Sequence, residues 1–187
     1  MADTLEGAGS GAGAEISALV DSLQAYACAA RQQLKKDLTD ISQLKSSTVI
    51  AADCDRSLSQ CLKGLDEAYY YTVITIANQM FRDYPFLKKG GYKFYRGKGV
   101  VQDKIYPAFN RLKKDSGIAN ANKWNPADIW VVKNNTPVKD TWKTLSQLNN
   151  FLYDSYKSGA IIGVSLDRKS TRLNSSHIPL SRMPSSA

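Results

Sequence analysis

Histidine is almost missing from this 187-residue chain; the single one is His177, near the end. Residues 1–166 therefore hold no imidazole, which removes from that stretch any mechanism or metal site built on one. Cysteine is scarce as well. Cys28, Cys54 and Cys61 include no C-x-x-C pair, and three thiols cannot close a disulfide framework. Cys54 and Cys61 lie seven residues apart, a spacing that puts both on one face of a helix. Their ordinary role is that of small buried apolar side chains in a reducing compartment, ahead of metal or redox chemistry. No apolar run approaches the ~20 residues of a membrane span. The opening MADTLEGAGSGAGAE has neither the basic end nor the apolar stretch of a secretion signal. The expected site of action is the interior of a cell. Acidic residues are the last shortage, since the formal net charge is +8. The final 21 residues carry Arg168, Lys169, Arg172 and Arg182 against Asp167, so residues 1–166 keep +5 of that charge. A basic balance suits nucleic acid or another anionic surface.

Residues 1–15 are rich in Gly, Ala and Ser and read as a flexible arm. A helical region is expected over 16–83. Ile16, Leu19, Leu23, Ala27, Ala30, Leu34, Leu38, Ile41 and Leu44 recur at three- and four-residue steps, as one long amphipathic helix or two. A second helix is expected from about 55 to 82, capped by Asp53 or Asp55 and lined by Leu58, Cys61, Leu62, Leu65, Tyr69, Val73, Ile76 and Met80. The run Tyr69-Tyr70-Tyr71 reads as core and rim packing, with a base-stacking platform as the alternative.

From 84 to 166 the pattern changes. Gly90-Gly91 is a turn, after which Tyr92, Phe94 and Arg96 alternate with Lys93, Tyr95 and Gly97 as in a short strand. A helix is expected over 101–114, shortened or kinked by Pro107 and stopped at Gly117. Asn125-Pro126 fixes an extended approach to the buried strand Asp128-Ile129-Trp130-Val131-Val132. A helix over 141–156 and a last apolar strand over 160–166 follow, with Gly159 between them. The expected fold class is α/β or α+β: an N-terminal helical region, then a small, truncated sheet whose two later strands are joined by a crossover helix. Parallel neighbours would make that crossover right-handed.

Two features carry candidate chemistry. Between Lys88 and Lys114, Lys88, Lys89, Lys93, Arg96, Lys98, Lys104, Arg111, Lys113 and Lys114 face one acid, Asp103, with Tyr92, Phe94, Tyr95 and Tyr106 interleaved. Cations neutralise phosphates and aromatic faces stack unpaired bases. Lys93, Arg96, Lys98, Lys104 and Arg111 are the candidate nucleic-acid contacts; the plainer reading is a solvated basic surface. The other feature is Asp128, a carboxylate opening an apolar strand, where burial is costly without a cation or donors. It is either a metal ligand or a strand-start residue bonding the turn before it.

The segments PADIW and IIGVSL together resemble the PD-(D/E)xK nuclease superfamily, in which an Asp on one strand and a (D/E)xK motif on the next hold Mg²⁺ and activate water. More narrowly, KWNPADIW and GVSL resemble a phage- or virus-type protein group over roughly residues 81–166. The resemblance implies Asp128 as the Mg²⁺ carboxylate and catalytic residue. Ser165 occupies the acidic position of the second motif. The motif lysine would follow Leu166, where this chain has Asp167.

Residues 167–187, DRKSTRLNSSHIPLSRMPSSA, resemble translated sequencing adapter, 167–177 in one stretch and 181–187 beyond an index-length gap. On that reading the natural sequence departs at Leu166, the tail is expected to be disordered, and the formal D-x-K match Asp167-Arg168-Lys169 is set aside. The expectation is a phage-derived, Mg²⁺-dependent nuclease-like protein acting on DNA, truncated and inactive as given. The alternative is a non-enzymatic phage structural or nucleic-acid-binding and packaging protein. Neither implies a membrane partner.

Overall fold

A long first helix organises the N-terminal half. In the computed structural model, which describes residues 8–114, 116–118, 120–166 and 174–175, α1 spans Ala8–Leu34. It thus begins inside the segment expected to be a flexible arm, although Gly9, Gly11 and Gly13 lower the helix propensity there. Every residue from 18 to 31 is buried, which marks a core helix rather than a one-faced amphipathic one. The buried Gln24 side chain donates its amide nitrogen to the Val73 carbonyl at 3.2 Å. The helix stops ten residues sooner than the apolar steps suggested. Lys35 takes a left-handed φ of 56°, and the chain turns back.

The return is fixed by side chains of the later helical segment, Asn78 and Arg82. Asn78 brackets the backbone of one residue, accepting from the Leu38 N–H and donating to the Leu38 carbonyl, both at 2.8 Å. Asp37 lies between Arg31 at 2.9 Å and Arg82 at 3.1 Å. After a short strand, β1 (Ala52–Cys54), the expected single helix over 55–82 is two: α2 (Leu58–Gly64) and α3 (Glu67–Asp83). Leu65 is extended between them. The caps explain the split. Ser57 and Gln60 form a reciprocal capping box for α2, and Asp66 accepts from Ala68 and Tyr69 at the start of α3. Asp53 and Asp55 are therefore not the caps. Cys54 sits in β1 and Cys61 in α2, so they do not share a helix face, although both lie near Tyr26. All three thiols are buried. Burial pushes Cys28, which donates to the Met80 sulfur at 3.6 Å, up to about 12.

The chain divides into two compact units, Met1–Gly90 and Gly91–Ala187. In the second, β2 (Tyr92–Arg96), β3 (Ile129–Lys133) and β4 (Ile161–Ser165) pair in sequence order. Both pairings are antiparallel: Phe94 faces Val131, and Trp130 faces Gly163. The fold is therefore α+β. The parallel, crossover-connected alternative is corrected: α6 (Leu145–Lys157) joins antiparallel neighbours, so no crossover handedness applies. It starts later than 141 because Thr144 is its N-cap. Asn174–Ser175 pairs antiparallel with β4 as β5; the rest of the tail expected to be disordered lies outside the described residues.

One face of this sheet carries Trp130, Val132 and Ile161 into a core completed by Ile105, Phe109, Leu148 and Leu152. Phe109 comes from α4 (Tyr106–Leu112) and stacks on Trp124 of α5 (Ala121–Trp124), centroids 4.4 Å apart. The expected helix over 101–114 is interrupted in its hydrogen bonding. Residues Val101–Ile105 form a π-helical turn, closed by Tyr106 N–H donating to the Val101 carbonyl, and Pro107 then opens α4 where its missing N–H costs nothing.

Gly163 admits the Trp130 indole. A Cβ there would stand 2.9 Å from the Ala127 methyl and 3.2 Å from the indole ring. Gly163→Ala should lower stability by about 1–3 kcal/mol through overpacking, read as a shift of the urea midpoint at unchanged slope.

Candidate functional site

Antiparallel pairing brings the two motif positions together. Asp128 precedes β3, and its N–H donates to the Val164 carbonyl at 2.9 Å. Its carboxylate then takes over where the ladder ends. Oδ2 accepts the Leu166 N–H at 2.5 Å and the Ser165 hydroxyl at 3.3 Å. Asp128 is half-buried, and these donors offset part of its desolvation. The carboxylate therefore bonds the end of the neighbouring strand rather than the turn before it. Tyr106 is near enough for this charge to help raise its hydroxyl pKa, behind the larger effect of burial.

Mg²⁺ calls for a near-octahedral shell of oxygens, commonly from more than one carboxylate. Among the described residues there is no group of three or more His, Cys, Asp or Glu side chains able to hold a metal. Asp128 already spends one oxygen on two donors. These residues alone do not fit a Mg²⁺ shell.

The five candidate phosphate contacts separate into distinct environments. Lys104 donates to the Val138 carbonyl at 3.0 Å. Arg111 grips Asp140 with two nitrogens, at 2.7 and 3.0 Å, and also reaches the Trp142 carbonyl. Together they tether the 134–144 connection to the helical segment before it. Arg96 is half-buried at the end of β2, and Lys98 is exposed in a turn where Gly97 and Gly99 have positive φ. Lys93 projects from the middle of β2 into an open cleft of about 400 Å³.

That cleft is lined by Lys93, Tyr95 and Val100 and by Val132, Lys133, Asn134, Asn135 and Thr136. Among the described residues no carboxylate lines it. Part of the lining is the turn after β3, closed by Thr136 N–H and Oγ1 donating to the Lys133 carbonyl at 3.2 and 2.7 Å. Asn135 holds a φ of 61° there, a conformation Asn tolerates better than most residues. Sequence reasoning saw Asn134-Asn135 only as the stop of a strand. The missed signal is the adjacent Lys133, which in an antiparallel ladder falls opposite Tyr92 of the basic strand.

Charge is strongly segregated between the two units. Residues 91–166 carry 12 Lys and Arg against 5 Asp and Glu, whereas residues 1–90 carry 9 against 11. The basic character of the chain therefore belongs to the unit that holds the cleft. Comparison with family models, curated proteins and solved structures gives no match.

Two outcomes follow from these contacts. Asp128→Ala strands the Leu166 N–H and the Ser165 hydroxyl and should cost about 1–3 kcal/mol, measured by urea unfolding. The Arg111 guanidinium holds the Asp140 carboxyl below its ordinary range. A depressed folded pKa contributes stability above the unfolded value and loses it as pH falls through the folded one. Asp140→Asn should therefore unfold at lower urea than the parent at neutral pH. The two midpoints should converge as the solution is acidified below about pH 4, the unfolded carboxyl value.

Proposed function

We propose that the unit beginning at Gly91 binds nucleic acid through its phosphates and does not cleave it, as a structural or packaging protein of a phage would. The observation that carries this is the concentration of cations in that unit, 12 against 5 acids, with two of them lining a cleft to which no described carboxylate contributes. Phosphate binding needs little else, since neutralising a phosphate releases condensed counterions and so lowers the free energy of the complex. The commitment of Asp128 to the end of β4 supports a structural carboxylate. The motif resemblance over 81–166 supports the phage assignment, and with it action inside a host cell or in a virion. No described helix is long and apolar enough to cross a membrane.

A Mg²⁺-dependent nuclease is the second reading. One observation favours it: the 3.3 Å approach of Ser165 to Asp128 across adjacent strands, the juxtaposition that the two-motif pattern requires. It needs further acidic and lysine groups following Leu166.

Anisotropy of a labelled single-stranded oligonucleotide tests the first reading. Affinity should fall about 20- to 50-fold between about 50 and 200 mM salt if three or four phosphates are neutralised. Binding that ignores salt, or no binding, defeats it. Incubation with Mg²⁺ should leave the DNA intact for both parent and Asp128→Asn. Cleavage by the parent that Asp128→Asn abolishes would hand the case to the nuclease.

A further inference from the structure

We infer that the outer edge of β4 is where a second copy of this chain pairs, antiparallel and about a two-fold axis at Gly163. The inference stands apart from the nucleic-acid reading. It starts from the direction in which the backbone of β4 points. The Ala160 and Val164 carbonyls accept from Lys133 and Asp128, both at 2.9 Å, so the even-numbered residues bond toward β3. Alternation along the strand turns the N–H and C=O groups of Ile161, Gly163 and Ser165 away from β3. Beyond that edge the described chain offers only β5, whose two residues oppose Val164 and Ser165. The backbone groups of Ile161 and Gly163 thus face an edge that no described strand covers.

The edge is open to addition. Ile161–Ser165 holds no charged residue and no proline, the devices that keep an exposed strand from pairing with another chain. β5 already adds there antiparallel, with Ser165 opposite Asn174. The partner is polypeptide rather than nucleic acid, because the strand presents amides and carbonyls and carries no cation. A second copy suits it because β4 is compatible with itself. With the axis at Gly163, Ile161 and Ser165 exchange backbone bonds across the pair. Gly163 meets its own counterpart, where no side chain obstructs the approach. Ile162 then stands opposite Val164, a β-branched pair of the kind that stabilises adjacent strands. A strand of this length spans only about 17 Å. That is short of a standard interface, so the dimer is weak and concentration-dependent. It also competes with β5, which holds Ser165 on the same edge.

Sedimentation equilibrium of the full chain, with amide exchange followed by NMR, tests the pairing. The parent should pass reversibly from monomer to dimer with a Kd of about 0.1–1 mM. Where half the chain is dimeric, exchange at the Ile161 and Gly163 amides should slow about twofold. Ile162 and Val164, bonded to β3, should stay protected at every concentration. Two prolines on this edge should act in opposite directions. Asn174→Pro removes the N–H that holds β5 on Ser165 and should tighten dimerisation about fivefold. Ser165→Pro removes an outward donor of β4 itself and should weaken it about tenfold. Should Ser165→Pro fail to fold, the amide measurement on the parent and on Asn174→Pro decides without it. A parent that stays monomeric while Asn174→Pro dimerises supports the edge and makes β5 its guard. Monomers throughout for both overturn the pairing. So does a dimer whose Ile161 and Gly163 amides exchange as in the monomer, an assembly larger than two, or a shift of the same sign from both prolines.

Discussion

Strand β3 is the constraint on which the second unit depends. Its residues Ile129, Trp130, Val131 and Val132 are all buried, so both faces of the strand are covered. It bonds to β2 on one side and β4 on the other. A strand so placed tolerates no slip in register, because a shift of one residue would exchange the two faces. Trp130 fixes the position further, since only Gly163 on the neighbouring strand leaves room for its indole. The register in turn sets Asp128 against the end of β4 and Lys93 across from Val132. The candidate sites are consequences of one strand's packing.

Much of this was legible in the sequence, and the reasons are local. The unbroken run from Ile129 to Val132 announces a strand buried on both sides. The alternation of Tyr92, Lys93 and Phe94 announces one with an exposed face, and Lys93 is exposed while its neighbours are buried. Pro107 marks a helix irregularity that the structure realises as a π-helical turn. The closeness of Asp128 and Ser165 was implied only by the motif resemblance, because a residue that opens one strand meets one that closes its neighbour only where the two run antiparallel.

What failed was whatever depended on distant partners. The direction of β4 relative to β3 is set by how the 134–144 connection lies, and that is tethered by Lys104 and Arg111 from a different helical segment. Local periodicity carries no trace of such bonds. The same holds for the end of α1. Apolar steps continue to Leu44, but Asn78 and Asp37 hold the returning chain in a form that spacing alone does not specify. The split between α2 and α3 was a different failure. Asp66, two residues after Gly64, is a cap residue written in the sequence, although the apolar spacing runs on through it.

The wide turn at Val101–Ile105 acts as a length gauge for the helix after it. An α-helix advances about 100° per residue, and the bulge accommodates one residue beyond that rhythm. Phe109 meets the Trp124 ring because the extra residue has already been absorbed upstream. A chain one residue shorter there would still be helical, yet it would swing that ring about a quarter turn away from its partner. The local irregularity is therefore what brings the two aromatics face to face.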